Sequence, residues 1–87
     1  MSTIELMQER LASLQPEALE IGDDSAKHAG HEGAKGGGGH YNLTIVSPLF
    51  DGKLTIARHR MIYNSLGDLM QTRIHALSIR ALAPGEL

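Results

Sequence analysis

Residues 74–82, Ile74-His75-Ala76-Leu77-Ser78-Ile79-Arg80-Ala81-Leu82, alternate strictly, with His75, Leu77, Ile79 and Ala81 on one face and Pro84-Gly85 closing the element. Period-two alternation is the pattern of a half-buried strand. A strand this late in the chain must find its partner upstream, and two segments offer themselves. Tyr41, Leu43, Ile45 and Ser47 alternate with Asn42, Thr44 and Val46 up to Pro48, while Ala18-Leu19-Glu20-Ile21 alternates briefly before Gly22-Asp23-Asp24-Ser25. Together these two predict a hairpin with a long loop, to which the last strand is added.

The flanking segments have a helical period instead. Ser2 followed by Glu5 matches a capping box, and Ile4, Met7, Leu11 and Leu14 recur at helical spacing, predicting a first helix to about Leu14 before Pro16 stops it. After the Asp51-Gly52 turn, Ala57-Arg58-His59-Arg60-Met61-Ile62-Tyr63 runs on to Leu66, Leu69 and Met70, predicting a helix from near Thr55. Asn64-Ser65-Leu66-Gly67 divides that run in two, with Ser65 expected to cap the second helix. The resulting order is α-β-β-α-α-β, an α+β layer sandwich on a three-stranded sheet. It forms one domain over 1–87, with a mobile Gly/His-rich loop at about 23–39.

Composition narrows the function classes. A chain of 87 residues buries only about 60 to 65% of its unfolded surface. Its core must be aliphatic, because tryptophan is absent and Phe50, Tyr41 and Tyr63 are the aromatics; that is poor material for a base-stacking surface. Cysteine is absent, which excludes disulfides, and the start shows no secretory pattern, so the cytoplasm is the expected compartment. No apolar stretch approaches the roughly 18 residues that span a bilayer. The net charge of −2 argues against bulk electrostatic binding of nucleic acid, but residues 1–50 carry −4 and residues 51–87 carry +2, which leaves a weak basic face in the second half.

Common catalytic patterns do not fit. Lys53 has no phosphate-loop glycine upstream, and Gly36 to Gly39 precede a strand, not the helix N-terminus that would receive an anion. Gly30-His31-Glu32-Gly33 has the Gly-x-x-Gly spacing of a nucleic-acid clamp but lies between strands, where the clamp would join the two middle helices. Ser25, Ser47, Ser65 and Ser78 stand in no nucleophile-elbow context, and adjacent Asp23 and Asp24 read as turn residues. No enzyme activity is expected.

Histidine is what remains. Five of them occur, and with no cysteine imidazole is the chain's soft-metal ligand and near-neutral proton carrier. His28, His31 and His40 bracket the glycine-rich segment, and His59 and His75 lie in ordered stretches. His28 and His31 can reach one ion from the loop, with His75 as a rigid ligand on the last strand. A structural zinc site wants four protein ligands, usually with thiolate. Histidines alone leave three options: an exchangeable ion, a site completed by a partner, or no metal.

The chain resembles the BolA family over nearly its whole length. The resemblance is carried by Asp23-Asp24-Ser25-Ala26-Lys27-His28-Ala29, His40-Tyr41, Ser47-Pro48-Leu49-Phe50-Asp51-Gly52-Lys53, Arg58-His59-Arg60-Met61-Ile62-Tyr63 and Ile74-His75-Ala76-Leu77-Ser78-Ile79. It implies a class II KH-like fold with helices on one face of the sheet, and a monothiol glutaredoxin partner. With that partner the chain would share a [2Fe-2S] cluster, whose thiolates come from the partner's cysteine and from glutathione. By motif position the histidine ligands are His75 and His28, with His31 as alternative loop ligand; the isolated chain holds no cofactor. The second implied activity is DNA binding in transcriptional control of stress response and cell morphology, through Lys53, Arg58, His59, Arg60 and Arg73. Four phosphate contacts give a salt slope of about −3.6, a weak interaction without dimerisation. A homodimer is compatible with the sequence, as is the plainer reading of Arg58 and Arg60 as a solvated helix face.

Overall fold

The computed structural model describes residues 1–25 and 39–86. Helix α1 covers Thr3–Leu11 and starts on the expected capping box: Ser2 Oγ accepts from the Glu5 amide at 3.1 Å and Glu5 Oε1 accepts from the Ser2 amide at 2.9 Å. Its last turn differs from the expectation. Ala12–Leu14 tighten into a 3-10 turn, and Gln15 takes a left-handed conformation at φ 54°. Pro16 disfavours the helical region at the residue before it, so the helix cannot continue through Gln15.

Strands β1 (Ala18–Asp23) and β2 (Gly39–Val46) pair antiparallel from Ala18 with Val46 to Asp23 with Tyr41. The expected loop over 23–39 falls on residues outside the described ones, apart from its two ends. Strand β3 (Ile74–Leu82) pairs parallel to β2, which is therefore central in the order β1-β2-β3. A parallel partner requires a crossover. It is supplied by a 3-10 turn at Pro48–Phe50, helix α2 (Thr55–Leu66) and the short α3 (Leu69–Thr72).

The helices cover one face of the sheet. Tyr41, Leu43 and Ile45 of β2 form its buried centre, flanked by Leu19 and Ile21 of β1 and by Leu77, Ile79 and Ala81 of β3. Met7 and Leu11 of α1, Ile62 and Leu66 of α2, Leu69 and Phe50 complete the core. The opposite face displays Glu20, Ala76, Ser78 and Arg80 to solvent. Among the described strand residues on this face there is no Phe, Tyr or Trp on which bases could stack.

The break between α2 and α3 lies at Gly67, two residues beyond the expected Ser65 cap. Ser65 stays within α2, where its hydroxyl meets that of Ser13 at 3.2 Å. Gly67 has φ 56° and ψ −129°, a conformation costly for any residue with a Cβ. Arg10 completes this helix end: its Nη1 donates to the Leu66 carbonyl at 3.0 Å and pairs with Asp68 at 2.9 Å. Gly67→Ala is expected to lose roughly 1–3 kcal/mol in urea denaturation. Gly85→Ala, where an added Cβ meets nothing within 4 Å, should stay near native stability.

Candidate functional site

The ladder between β2 and β3 is irregular at one end. Gly39 pairs with Ile74, but the next residue, His40, pairs with Ala76, so His75 is an extra residue on β3 without a partner across the ladder. A bulge of this kind re-aims a side chain. Here it corrects the expectation that His75 shares a face with Leu77, Ile79 and Ala81: Ile74 enters the core at 3% exposure, and His75 is exposed.

Beside it stands His40, half-buried at the start of β2, with its ring centroid 5.1 Å from that of His75 and the planes tilted by 43°. The backbone around His40 is tightly held. Its amide donates to Ser25 Oγ at 3.1 Å and its carbonyl accepts from the Asp24 amide at 2.7 Å. Gly39 donates to the Arg73 carbonyl at 3.0 Å, which ties the start of β2 to the turn after α3. His40 was legible only as a histidine bordering the loop. Its place beside His75 follows from the parallel β2–β3 register, for which the sequence carries no local signal.

Two adjacent imidazoles and no thiolate make a partial donor set. Among the described residues no three His, Asp or Glu side chains gather as a metal site. His28 and His31 lie outside the described residues. His75 is thus an exposed imidazole donor of the kind that could join a centre whose thiolates come from elsewhere.

The expected DNA-contacting set separates. Lys53, Arg60 and Arg73 are exposed and His59 is half-buried. For Arg58 the reading as a solvated helix face needs correction, because its side chain is only 10% exposed. Its Nε donates to the Lys53 carbonyl at 2.9 Å, Nη1 to the Ala81 carbonyl at 3.1 Å, and both terminal nitrogens clasp Glu86 at 2.6 and 2.9 Å. Glu86 lies far along the chain from Arg58, so helical periodicity could not reveal the pair. This clasp joins α2 to the segment after β3, beside a groove of about 440 Å³ lined by Pro48, Asp51, Ala83, Pro84, Gly85 and Glu86.

Hydrogen bonds from Arg58, with a further one from the Ala83 amide, hold the Glu86 carboxyl down to about 2 from its ordinary 4.5. A lowered acid pKa contributes stability that is fully present above the unfolded value and is lost as pH falls through the folded one. The native melting temperature should therefore fall between about pH 4.5 and 2 more steeply than that of Glu86→Gln. Thermal melts by circular dichroism across that window check this; equal slopes would show that the clasp does not persist in solution.

The structure is an open-faced α+β domain with an exposed histidine on a bulge at one end of the β2–β3 ladder. The chain belongs to the BolA family: the family model described as BolA-like protein matches residues 11–86. It is 46% identical over 79 residues to SufE-like protein 1, chloroplastic/mitochondrial, of Arabidopsis thaliana, an alignment covering 85% of this chain and 21% of that protein. To protein BOLA1, chloroplastic, of the same plant it is 43% identical over 84 residues, 92% of this chain and 52% of that one. To the DNA-binding transcriptional regulator BolA of Escherichia coli (strain K12) it is 37% identical over 76 residues, 86% of this chain and 70% of that one. Among solved structures, the BolA domain of SufE1 from Arabidopsis thaliana superposes with a TM-score of 0.86 at 43% identity, covering 100% of this chain and 98% of that chain. Among the described residues no helix is long and apolar enough to cross a membrane.

Proposed function

We propose that this chain is a non-enzymatic adaptor in iron-sulfur cluster or iron homeostasis, acting in the cytoplasm, that pairs with a monothiol glutaredoxin and shares a [2Fe-2S] cluster with it and with glutathione. The observation that carries this reading is His75, lifted out of the ladder by a bulge and exposed beside His40 in a chain without cysteine. His75 is the fixed ligand, and His28, with His31 as alternative, is the ligand from the segment between the strands. Mixed histidine and thiolate ligation raises a cluster's reduction potential relative to thiolate alone. Because a ligating imidazole must be neutral, the shared cluster should be lost on acidification.

A DNA-binding regulator is the second reading, favoured by the similarity to the DNA-binding transcriptional regulator of Escherichia coli. With Arg58 committed to Glu86, the three exposed cations of the expected contacting set, Lys53, Arg60 and Arg73, give a salt slope of about −2.7, weaker than the sequence suggests.

Mixing the chain with a monothiol glutaredoxin, glutathione, iron and sulfide separates the two. A heterodimer whose visible circular dichroism differs from that of the glutaredoxin cluster alone, and which reverts on acidification, supports the adaptor. An unchanged spectrum together with salt-sensitive DNA binding weakened by Arg60→Ala supports the regulator.

A further inference from the structure

Next to the histidine pair a chain of hydrogen bonds crosses the sheet edge. Asn42 lies opposite Gly22 in the β1–β2 register. A Cβ on Gly22 would stand 2.5 Å from Asn42 Nδ2, so only glycine lets the Asn42 amide lie across β1. Glycine weakens a strand interior, and its presence there marks a close approach. From this seat Asn42 Nδ2 donates to Asp24 Oδ2 at 2.9 Å, a bond strengthened by the carboxylate charge. The Asp24 amide then donates to the His40 carbonyl at 2.7 Å, and Ser25 Oγ accepts from the His40 amide at 3.1 Å. Ser25 is itself held by its amide on Asp23 Oδ1 at 2.8 Å. Both backbone groups of His40 are thus tied to the segment that Asn42 holds, while its ring sits 5.1 Å from His75.

We infer that Asn42, seated on Gly22 and bonded to Asp24, is a positioning residue that keeps the His40 ring against His75 and so aligns the metal-facing imidazole; its role in cluster binding rests on the adaptor reading. Neither Asn42 nor Asp24 is a ligand in this scheme. They act on where the ligand's neighbour stands, as outer partners of metal-binding histidines do.

The test is a charge exchange. Asn42→Asp sets a second carboxylate against Asp24 and breaks the bond by repulsion. The double variant Asn42→Asp/Asp24→Asn restores an amide–carboxylate pair with the donor reversed. In the free full chain, the nuclear Overhauser cross-peak between the His40 and His75 ring protons is expected to fall to less than half in Asn42→Asp and to return in the double variant. Gly22→Ala should lose it as well. With a monothiol glutaredoxin, affinity for the shared cluster should drop about 10- to 100-fold in Asn42→Asp and recover in the double variant. Melting temperatures recorded alongside identify a variant that has merely unfolded, and the double variant then decides. An unchanged cross-peak in Asn42→Asp, or a loss that the double variant does not restore, overturns the inference. If His75→Ala leaves the cluster spectrum unchanged the adaptor reading fails, and the cross-peak still decides whether Asn42 positions His40.

Discussion

Phe50→Ala is expected to cost about 3–5 kcal/mol of folding stability. Phe50 is fully buried at the end of the 3-10 turn that launches the crossover, and it is the chain's only phenylalanine. Ser47 fixes that turn, accepting from the Leu49 amide at 3.1 Å and donating to the Leu14 carbonyl at 2.6 Å. The Arg58 guanidinium stands 6.0 Å from the ring centroid. Its neighbours in the core are held by their own strands and helices, so the space left by the ring is not readily refilled. A domain of this length has a total stability of only about 4–13 kcal/mol. The melting temperature should consequently fall by roughly 15–30 °C. Urea denaturation of Phe50→Ala beside Leu49→Ala, whose side chain is partly exposed, measures the contrast; a loss below about 1 kcal/mol in Phe50→Ala would place the ring outside the core.

His75→Ala should have the opposite profile, with little effect on the fold and complete loss of one activity. The side chain is exposed and its residue is already outside the ladder, so folding stability should change by no more than about 0.5 kcal/mol. The circular dichroism that distinguishes the mixed cluster from that of glutaredoxin alone should vanish. His59→Ala, on α2 and not on the β2–β3 ladder, should leave it intact. A His75→Ala spectrum identical to wild type would remove the fixed ligand from the account.

Local signals carried most of the fold. The capping box at Ser2 and Glu5 and the strand over Ile74 to Leu82 depend on neighbours within a few residues, and both elements appear in the structure, although a bulge takes His75 off the face that the alternation gave it. Features set by tertiary contacts were less legible. Leu14 has the helical period yet belongs to a 3-10 turn, because Pro16 limits the backbone ahead of it. Ser65 has cap chemistry but sits inside a helix that Arg10 closes from another element. Arg58 reads as a surface cation until Glu86 is folded back onto it.

The site divides in the same way. His75 stood out by its motif, but alternation assigned it to the core face, since one inserted residue in a ladder leaves no trace in a strictly alternating sequence. His40 joins it only through register. The candidate ligands His28 and His31 fall outside the described residues; His28 rests on the family's motif position, and His31 is the alternative that this sequence adds.

The most direct measurement of the central claim is pulsed electron paramagnetic resonance on the reduced mixed cluster, with this chain labelled with ¹⁵N in its histidines and the glutaredoxin unlabelled. The account predicts strong ¹⁵N couplings of directly bonded imidazole nitrogens, one of which disappears in His75→Ala. A spectrum with no coupling stronger than that of a distant hydrogen-bonded nitrogen would contradict it, and the chain would then pair with its partner without touching the iron.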